Sequence, residues 1–262
     1  MGDKMCRLLG IIANKPVDLE FSLEQFKKFA SWNPDGWGIG WYERDEAKIF
    51  KQGISATAKG SKLPILSRNV KSKIIIAHVR KGTEAEPAER NSHPFKYGNW
   101  IFAHNGSVDR KYLLPLLSTK YSRKIRGETD SEVYFYLLLQ CIDEEGSVIE
   151  GIEKAIKITV KRKHSGLNFL LSDGSNLYAF RYTSRFKNYY TLYKLKREPS
   201  NPGPIEFLSE ETKALIRSKS LKGEKAILVC SEKLTKEKWK EISLGNLLIV
   251  KPDLNIKEVK II

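Results

Sequence analysis

Six residues of this chain offer groups that chemistry can use: Cys6, Arg80, Thr83, Asn105, Gly106 and Asp130. Cys6 stands in Met5-Cys6-Arg7-Leu8-Leu9-Gly10. If translation starts at Met5, loss of that methionine leaves Cys6 with a free α-amine beside its own thiol. A thiol of pKa about 8.5 is only slightly ionised at neutral pH, and an α-amine of pKa about 7.7–8.0 can take its proton directly or through one water. Nucleophile and base then share one residue. Read alone, Cys6 is equally a small hydrophobe in a first strand. Arg80 and Thr83 follow an apolar run in His78-Val79-Arg80-Lys81-Gly82-Thr83, and Asn105-Gly106 follows a second run in His104-Asn105-Gly106. Between them lies Asn91-Ser92-His93-Pro94, and Asp130 comes after Gly127-Glu128-Thr129. Singly, each has a plain alternative: a surface ion pair for Arg80, a helix N-cap for Asp130, a two-residue turn for Asn105-Gly106, and core packing for the histidines.

The elements that must hold these groups can be read from the pattern of apolar residues. Residues 6–13 form a continuous apolar run, predicting a buried strand, and 22–30 predict a short helix capped by Ser22 with Gln25 three residues on. The turn Asn33-Pro34-Asp35-Gly36 leads into a glycine-spaced strand over 37–42, which pairs as a hairpin with 48–53. Its Gly-x-Gly-x-Gly spacing lacks the helix a phosphate cradle needs, so the glycines point to close backbone approach. Strands are expected at 73–77 and 100–103, a helix from Asp130 onward, and an amphipathic helix over 148–163 with Glu150–Lys154 and Glu153–Lys157 pairs. Beyond residue 165 come strand signals at 166–171, 176–183, 189–196, 225–231, 247–251 and 256–261, the first two joined at Asp173-Gly174. This half is expected to supply a second sheet that closes the core and no chemistry. The expected class is α+β with helices packed outside the strands.

Composition narrows the function. Three cysteines, Cys6, Cys141 and Cys230, lie far apart without a Cys-x-x-Cys pair, against a disulfide framework or zinc ribbon. Cys141 and Cys230 sit in apolar runs and read as core. No apolar stretch is long enough to span a bilayer and no signal-peptide pattern opens the chain, which points to a cytoplasmic protein. The net charge of +15 raises a non-enzymatic, nucleic-acid-binding alternative. The lysines and arginines are spread along the whole length, however, so a solvated surface without nucleic acid is expected.

Taken together and in order, MCRLLG, NPDGWGIGW, HVRKGT, NSHPF, HNG and GETDSE resemble the class II glutamine amidotransferases, and more closely their stand-alone type without a synthase domain. The motifs cover roughly residues 6–140. The resemblance implies a four-layer αββα N-terminal-nucleophile hydrolase sandwich, two antiparallel sheets between helices, with 6–262 as a single domain. Residues 1–5 would be an extension, tag remnant or propeptide. It also implies that Cys6 attacks the side-chain carbonyl of glutamine, that Asn105 and Gly106 stabilise the oxyanion, and that Arg80, with Thr83, and Asp130 hold the α-carboxylate and α-ammonium. The histidines go to packing and pocket shape, and no metal or cofactor is implied. Glutamine, or another γ-glutamyl amide or peptide, is the expected substrate, with a separate synthase as a possible partner. Lys81 departs from the Trp or small residue usual in the family. A papain-like Cys-His-Asn site is disfavoured, because its cysteine opens a helix and Cys6 opens an apolar strand.

Overall fold

The computed structural model describes residues 6–18, 33–82, 85–198, 205–208, 215–218 and 225–262. The expected helix at 22–30 lies outside them. Strand β1 (Arg7–Asp18) begins one residue after Cys6. It continues through β2 (Trp37–Glu43), β3 (Glu46–Gln52), helix α1 (Leu63–Asn69), β4 (Lys71–Val79), β5 (Phe95–Tyr97) and β6 (Trp100–Gly106). Two long helices follow, α2 (Asp130–Glu145) and α3 (Val148–Thr159), then β7 (Leu167–Ser172) and β8 (Leu177–Arg181). The last strands are β9 (Tyr193–Arg197), β10 (Ile205–Leu208), β11 (Leu215–Ser218), β12 (Ala226–Cys230), β13 (Lys240–Glu241), β14 (Asn246–Val250) and β15 (Ile256–Lys260).

Two antiparallel sheets result, ordered β13-β9-β12-β1-β4-β2-β3 and β15-β14-β8-β7-β6-β5, with β10-β11 a separate ribbon. One apolar cluster lies between them, joining Leu8, Ile12, Ile76 and Val229 of the first to Ala103, Leu170, Ala179 and Leu248 of the second. The outer face of the second sheet packs on α2 and α3 through Phe102, Phe169 and Phe180 against Tyr134, Phe135 and Ile152. The outer face of the first carries Leu9, Ile11, Ile39 and Ile75 against Leu63 of α1. This is the expected α+β, αββα arrangement, two antiparallel sheets between helices. A strand in the middle of such a sandwich is covered on both faces, which is why β1 reads as an unbroken apolar run. Each of its buried Leu and Ile side chains, 0–4% exposed, contributes about 1.5–3 kcal/mol on burial.

The second half of the chain does not form a sheet of its own. It gives β9, β12 and β13 to the first sheet and β7, β8, β14 and β15 to the second. β12 pairs directly with β1, Cys230 opposite Leu9. The helix expected over 148–163 stops at Thr159, and Lys154 pairs not with Glu150 but with Glu144 and Glu145 across the α2–α3 turn, at 2.9 and 2.6 Å. The Glu153–Lys157 pair is present at 2.5 Å. The glycine-spaced strand behaves as its spacing suggests. A Cβ on Gly38 would lie 2.3 Å from the His93 carbonyl, and one on Gly40 2.6 Å from Ile101. Those bare positions let the 91–94 segment press onto β2.

Candidate active site

The ends of β1, β4 and β6 and the start of α2 meet at one small cavity. Its lining includes Cys6, Arg80, Lys81, His93, Gly106 and Asp130, and its volume is about 50 Å³. Four of the six residues singled out in sequence, Cys6, Arg80, Gly106 and Asp130, line it; Asn105 adjoins it through a hydrogen bond to the Cys6 carbonyl, and Thr83 lies outside the described residues.

Cys6 is fixed in the lining because β1, which follows it, is held on both sides, by β4 and by β12. Its Sγ accepts a hydrogen bond from the Lys81 N–H at 3.2 Å and lies 3.4 Å from the Lys81 carbonyl, to which the thiol can donate. Burial pushes the thiol pKa up; the Lys81 N–H, and the charges of Arg80 and Arg7, pull it down. Arg7 is itself buried, ion-paired to Glu232, with a donor 3.4 Å from the Cys6 carbonyl.

Asn105 and Gly106 are not a hairpin turn. They end β6 in register with Asn168 and Leu167 of β7. The Asn105 amide donates to the Cys6 carbonyl at 2.7 Å and to Ser231 Oγ at 3.0 Å, while its Oδ1 lies 3.2 Å from His78 Nε2. Gly106 has φ +139°, and a Cβ there would lie 1.8 Å from the Gly166 carbonyl, so only glycine fits.

Arg80 is 4% exposed, and its guanidinium donates to three backbone carbonyls: Ala85 at 2.6 Å, Asp35 at 3.3 Å and Glu86 at 3.5 Å. The NPDG turn grips this strand end. Arg80 N–H donates to the Gly36 carbonyl at 2.7 Å, and Gly82 N–H to the Asp35 carboxylate at 2.8 Å. Asp130 is not the cap of α2; that is Thr129, whose hydroxyl accepts from Glu132 N–H at 3.3 Å. As the first helical residue, Asp130 accepts instead from Val108 N–H and Ser131 N–H, both at 2.8 Å. Burial raises its carboxyl pKa, and these donors oppose the shift.

The three site histidines are all buried, and burial holds each neutral: His78 falls to about 3, His104 to about 4 and His93 well below its ordinary value. His104 is fastened to Ser131 Oγ at 2.9 Å and the Gly166 carbonyl at 3.2 Å. Among the described residues there is no cluster of metal-ligating side chains, and no helix is long and apolar enough to cross a membrane.

Sequence reasoning missed the site's contacts from the second half. Ser231 touches Asn105 and also accepts from Leu8 N–H at 3.0 Å; the Tyr190 ring lies where a Cβ on Gly166 would stand, at 2.2 Å. Neither residue belongs to a motif. Asn91 was read only as part of NSHPF. It latches that segment to GETDSE, donating to the Glu128 carboxylate at 2.8 Å and accepting Glu128 N–H at 2.9 Å.

Cys6 thus stands at the start of a central strand in a two-sheet sandwich, beside the residues that the motifs supply. The pattern of the family described as glutamine amidotransferases class-II matches residues 5–258. The chain belongs to the class II glutamine amidotransferases. Among its relatives, a protein of Haemophilus influenzae named "Putative glutamine amidotransferase" is 31% identical over 97% of this chain and 87% of its own. A glutamine aminotransferase class-II domain protein from Silicibacter pomeroyi has the same fold, with TM-score 0.63 at 22% identity, covering 97% of this chain and 99% of that one. The glutamine phosphoribosylpyrophosphate amidotransferase of B. subtilis matches at TM-score 0.63 and 16% identity over 98% of this class II chain, which spans 49% of that larger protein.

Proposed function

We propose that this chain cleaves the γ-amide of glutamine through a Cys6 thioester, giving glutamate and ammonia, once Cys6 is the amino-terminal residue. The observation that carries the reading is the placement of Cys6 in the cavity lining, with its sulfur on the Lys81 N–H and its carbonyl on Asn105. The α-amine takes the thiol proton as sulfur adds to the amide carbon, and returns a proton to the departing ammonia. The Asn105 N–H edge and the Gly106 N–H stabilise the oxyanion, Arg80 exchanges backbone carbonyls for the substrate α-carboxylate, and Asp130 takes the α-ammonium. Thr83 stands beside Arg80 in this scheme. Water then opens the thioester. Residues 6–262 act as one domain, and ammonia passes to an acceptor enzyme on a separate chain.

A second reading, hydrolysis of a larger γ-glutamyl amide or peptide, is favoured by Lys81. Its backbone holds the Cys6 sulfur, its side chain is exposed at the rim, and its ammonium has no partner among the described residues. A cation there suits a leaving amine that carries a carboxylate.

The test compares two forms, one retaining residues 1–5 and one beginning at Cys6, each verified by mass spectrometry. Both are assayed on glutamine and on γ-glutamyl amino acids. The free-Cys6 form is expected to gain at least the ~10²-fold of a positioned general base. Equal turnover by both forms would refute the free-amine mechanism. On the second reading Lys81→Glu lowers kcat/KM for γ-glutamyl amino acids and spares glutamine; equal effects on both return Lys81 to the surface.

A further inference from the structure

Asn105 can serve as an oxyanion donor only if its carboxamide faces the right way. Turned by 180°, the same side chain would present a carbonyl oxygen to the reacting centre and repel the developing charge. The Cys6 carbonyl, which can only accept, takes the N–H edge at 2.7 Å, and two further neighbours hold the other contacts of the carboxamide. His78 on β4 is 0% exposed, and its Nε2 lies 3.2 Å from Asn105 Oδ1. Burial holds the imidazole neutral, and in the tautomer with the proton on Nε2 it donates to that oxygen. Ser231, just beyond β12, is also 0% exposed; its Oγ lies 3.0 Å from Asn105 Nδ2 and receives the Leu8 N–H at 3.0 Å. This hydroxyl therefore joins β1 to the Asn105 carboxamide, accepting an N–H from each. The remaining Asn105 N–H is left aimed at Cys6, where it now meets the backbone carbonyl at 2.7 Å.

We propose that His78 and Ser231 are positioning residues that set the orientation of the Asn105 carboxamide, so that its N–H edge is turned to Cys6. The inference rests on the reading of Asn105 as an oxyanion donor. Ser231 has a second consequence in this arrangement. Its N–H donates to the Leu8 carbonyl at 3.1 Å, so the atom that orients Asn105 belongs to a residue stitched to the strand that carries the nucleophile. Donor and nucleophile are thereby referenced to one another across the first sheet.

The experiment is a double-mutant cycle on the free-Cys6 enzyme with glutamine, or the best γ-glutamyl substrate, reading kcat and KM separately. Asn105→Ala is expected to lower kcat by ~10²- to 10³-fold. His78→Leu and Ser231→Ala each lower kcat by ~10-fold or more with little change in KM, and neither costs anything further in the Asn105→Ala background. His78→Gln, which restores an N–H in reach of Oδ1, recovers most of the lost kcat. Ser231→Ala deletes a single atom and carries the cycle if His78→Leu does not fold. Equal costs with and without Asn105 would overturn the positioning role while leaving the oxyanion role intact. Full kcat in Asn105→Ala would overturn the oxyanion reading itself.

Discussion

Acidification should unfold this protein, and the size of the effect follows from three imidazoles. His78, His93 and His104 are 0%, 4% and 1% exposed, His78 and His93 have ring centroids 4.3 Å apart, and burial is the largest cause of each depressed pKa. A histidine whose folded pKa lies below its unfolded one binds its proton first in the unfolded chain. Its stabilisation is therefore complete above the unfolded pKa and is lost as pH falls from there toward the folded value. With an unfolded pKa of about 6.5, and folded values of about 3 for His78 and about 4 for His104, lowering the pH from 7 to 5 costs about 2 kcal/mol for each of these two. The figure barely depends on how far below 4 the folded value lies, since the native imidazole takes up almost no proton in this interval. The two together cost about 4 kcal/mol, a large part of the whole stability of a protein at the low end of the usual 5–15 kcal/mol, and His93, lowered by burial as well, adds a loss of the same sign. Asp130 acts with the opposite sign. Its raised carboxyl pKa means that the native state binds that proton first, so its offset grows only as pH falls toward the carboxyl range. Urea unfolding at pH 7, 6 and 5 gives the stability from midpoint and slope. A steep fall that starts just below pH 6.5 is expected. An unchanged stability at pH 5 would mean that these imidazoles protonate in the folded state, and the neutral His78 invoked for orienting Asn105 would go with it.

Arg80→Lys keeps the charge and loses the planar fork, so KM for the γ-glutamyl substrate should rise with a smaller effect on kcat; steady-state kinetics would remove Arg80 from the clamp if KM is unchanged. Asp130→Asn should lower kcat/KM by ~10- to 100-fold, the scale of a lost charged hydrogen bond, while α2 remains capped by Thr129. Because burial raises the Asp130 carboxyl, the acid limb of kcat/KM in wild-type enzyme should lie above the ordinary aspartate value of 3.8, activity falling as pH drops through it. Gly106→Ala places a Cβ 1.8 Å from the Gly166 carbonyl at φ +139°, and should lower the melting temperature as well as activity; a native melting curve would show that β6 can shift away from β7.

Local signals in the sequence were enough for the elements that hold the motifs, because strand period and helix caps are properties of neighbouring residues. The glycine spacing of β2 likewise reported a real steric constraint. What it could not report is the destination of strands far along the chain. Whether β12 joins β1 or closes a second sheet depends on a pairing of Leu9 with Cys230, which no local pattern encodes. Ser231 was invisible for the same reason: a serine after an apolar strand becomes part of the site only through where that strand docks. Lys154 chose Glu144 and Glu145 over its helical neighbour because the short α2–α3 connection brings them closer. The hairpin between β2 and β3 turns through Arg44 and Asp45, both at positive φ, 50° and 64°, without the Asn-Gly that usually marks such a turn.

Chain termini generally fray, opening many times for every global unfolding event. The strand after Cys6 has no such freedom. It lies between two partners, Arg7 opposite Val79 on one side and Leu9 opposite Cys230 on the other, and its next residues face apolar clusters on both surfaces. The amides of Leu8 to Ile12 should exchange with solvent only when the whole molecule opens, among the slowest in the chain. Local opening should therefore not displace Cys6, and loss of activity on heating should coincide with loss of the fold, with no inactive but still folded state preceding it.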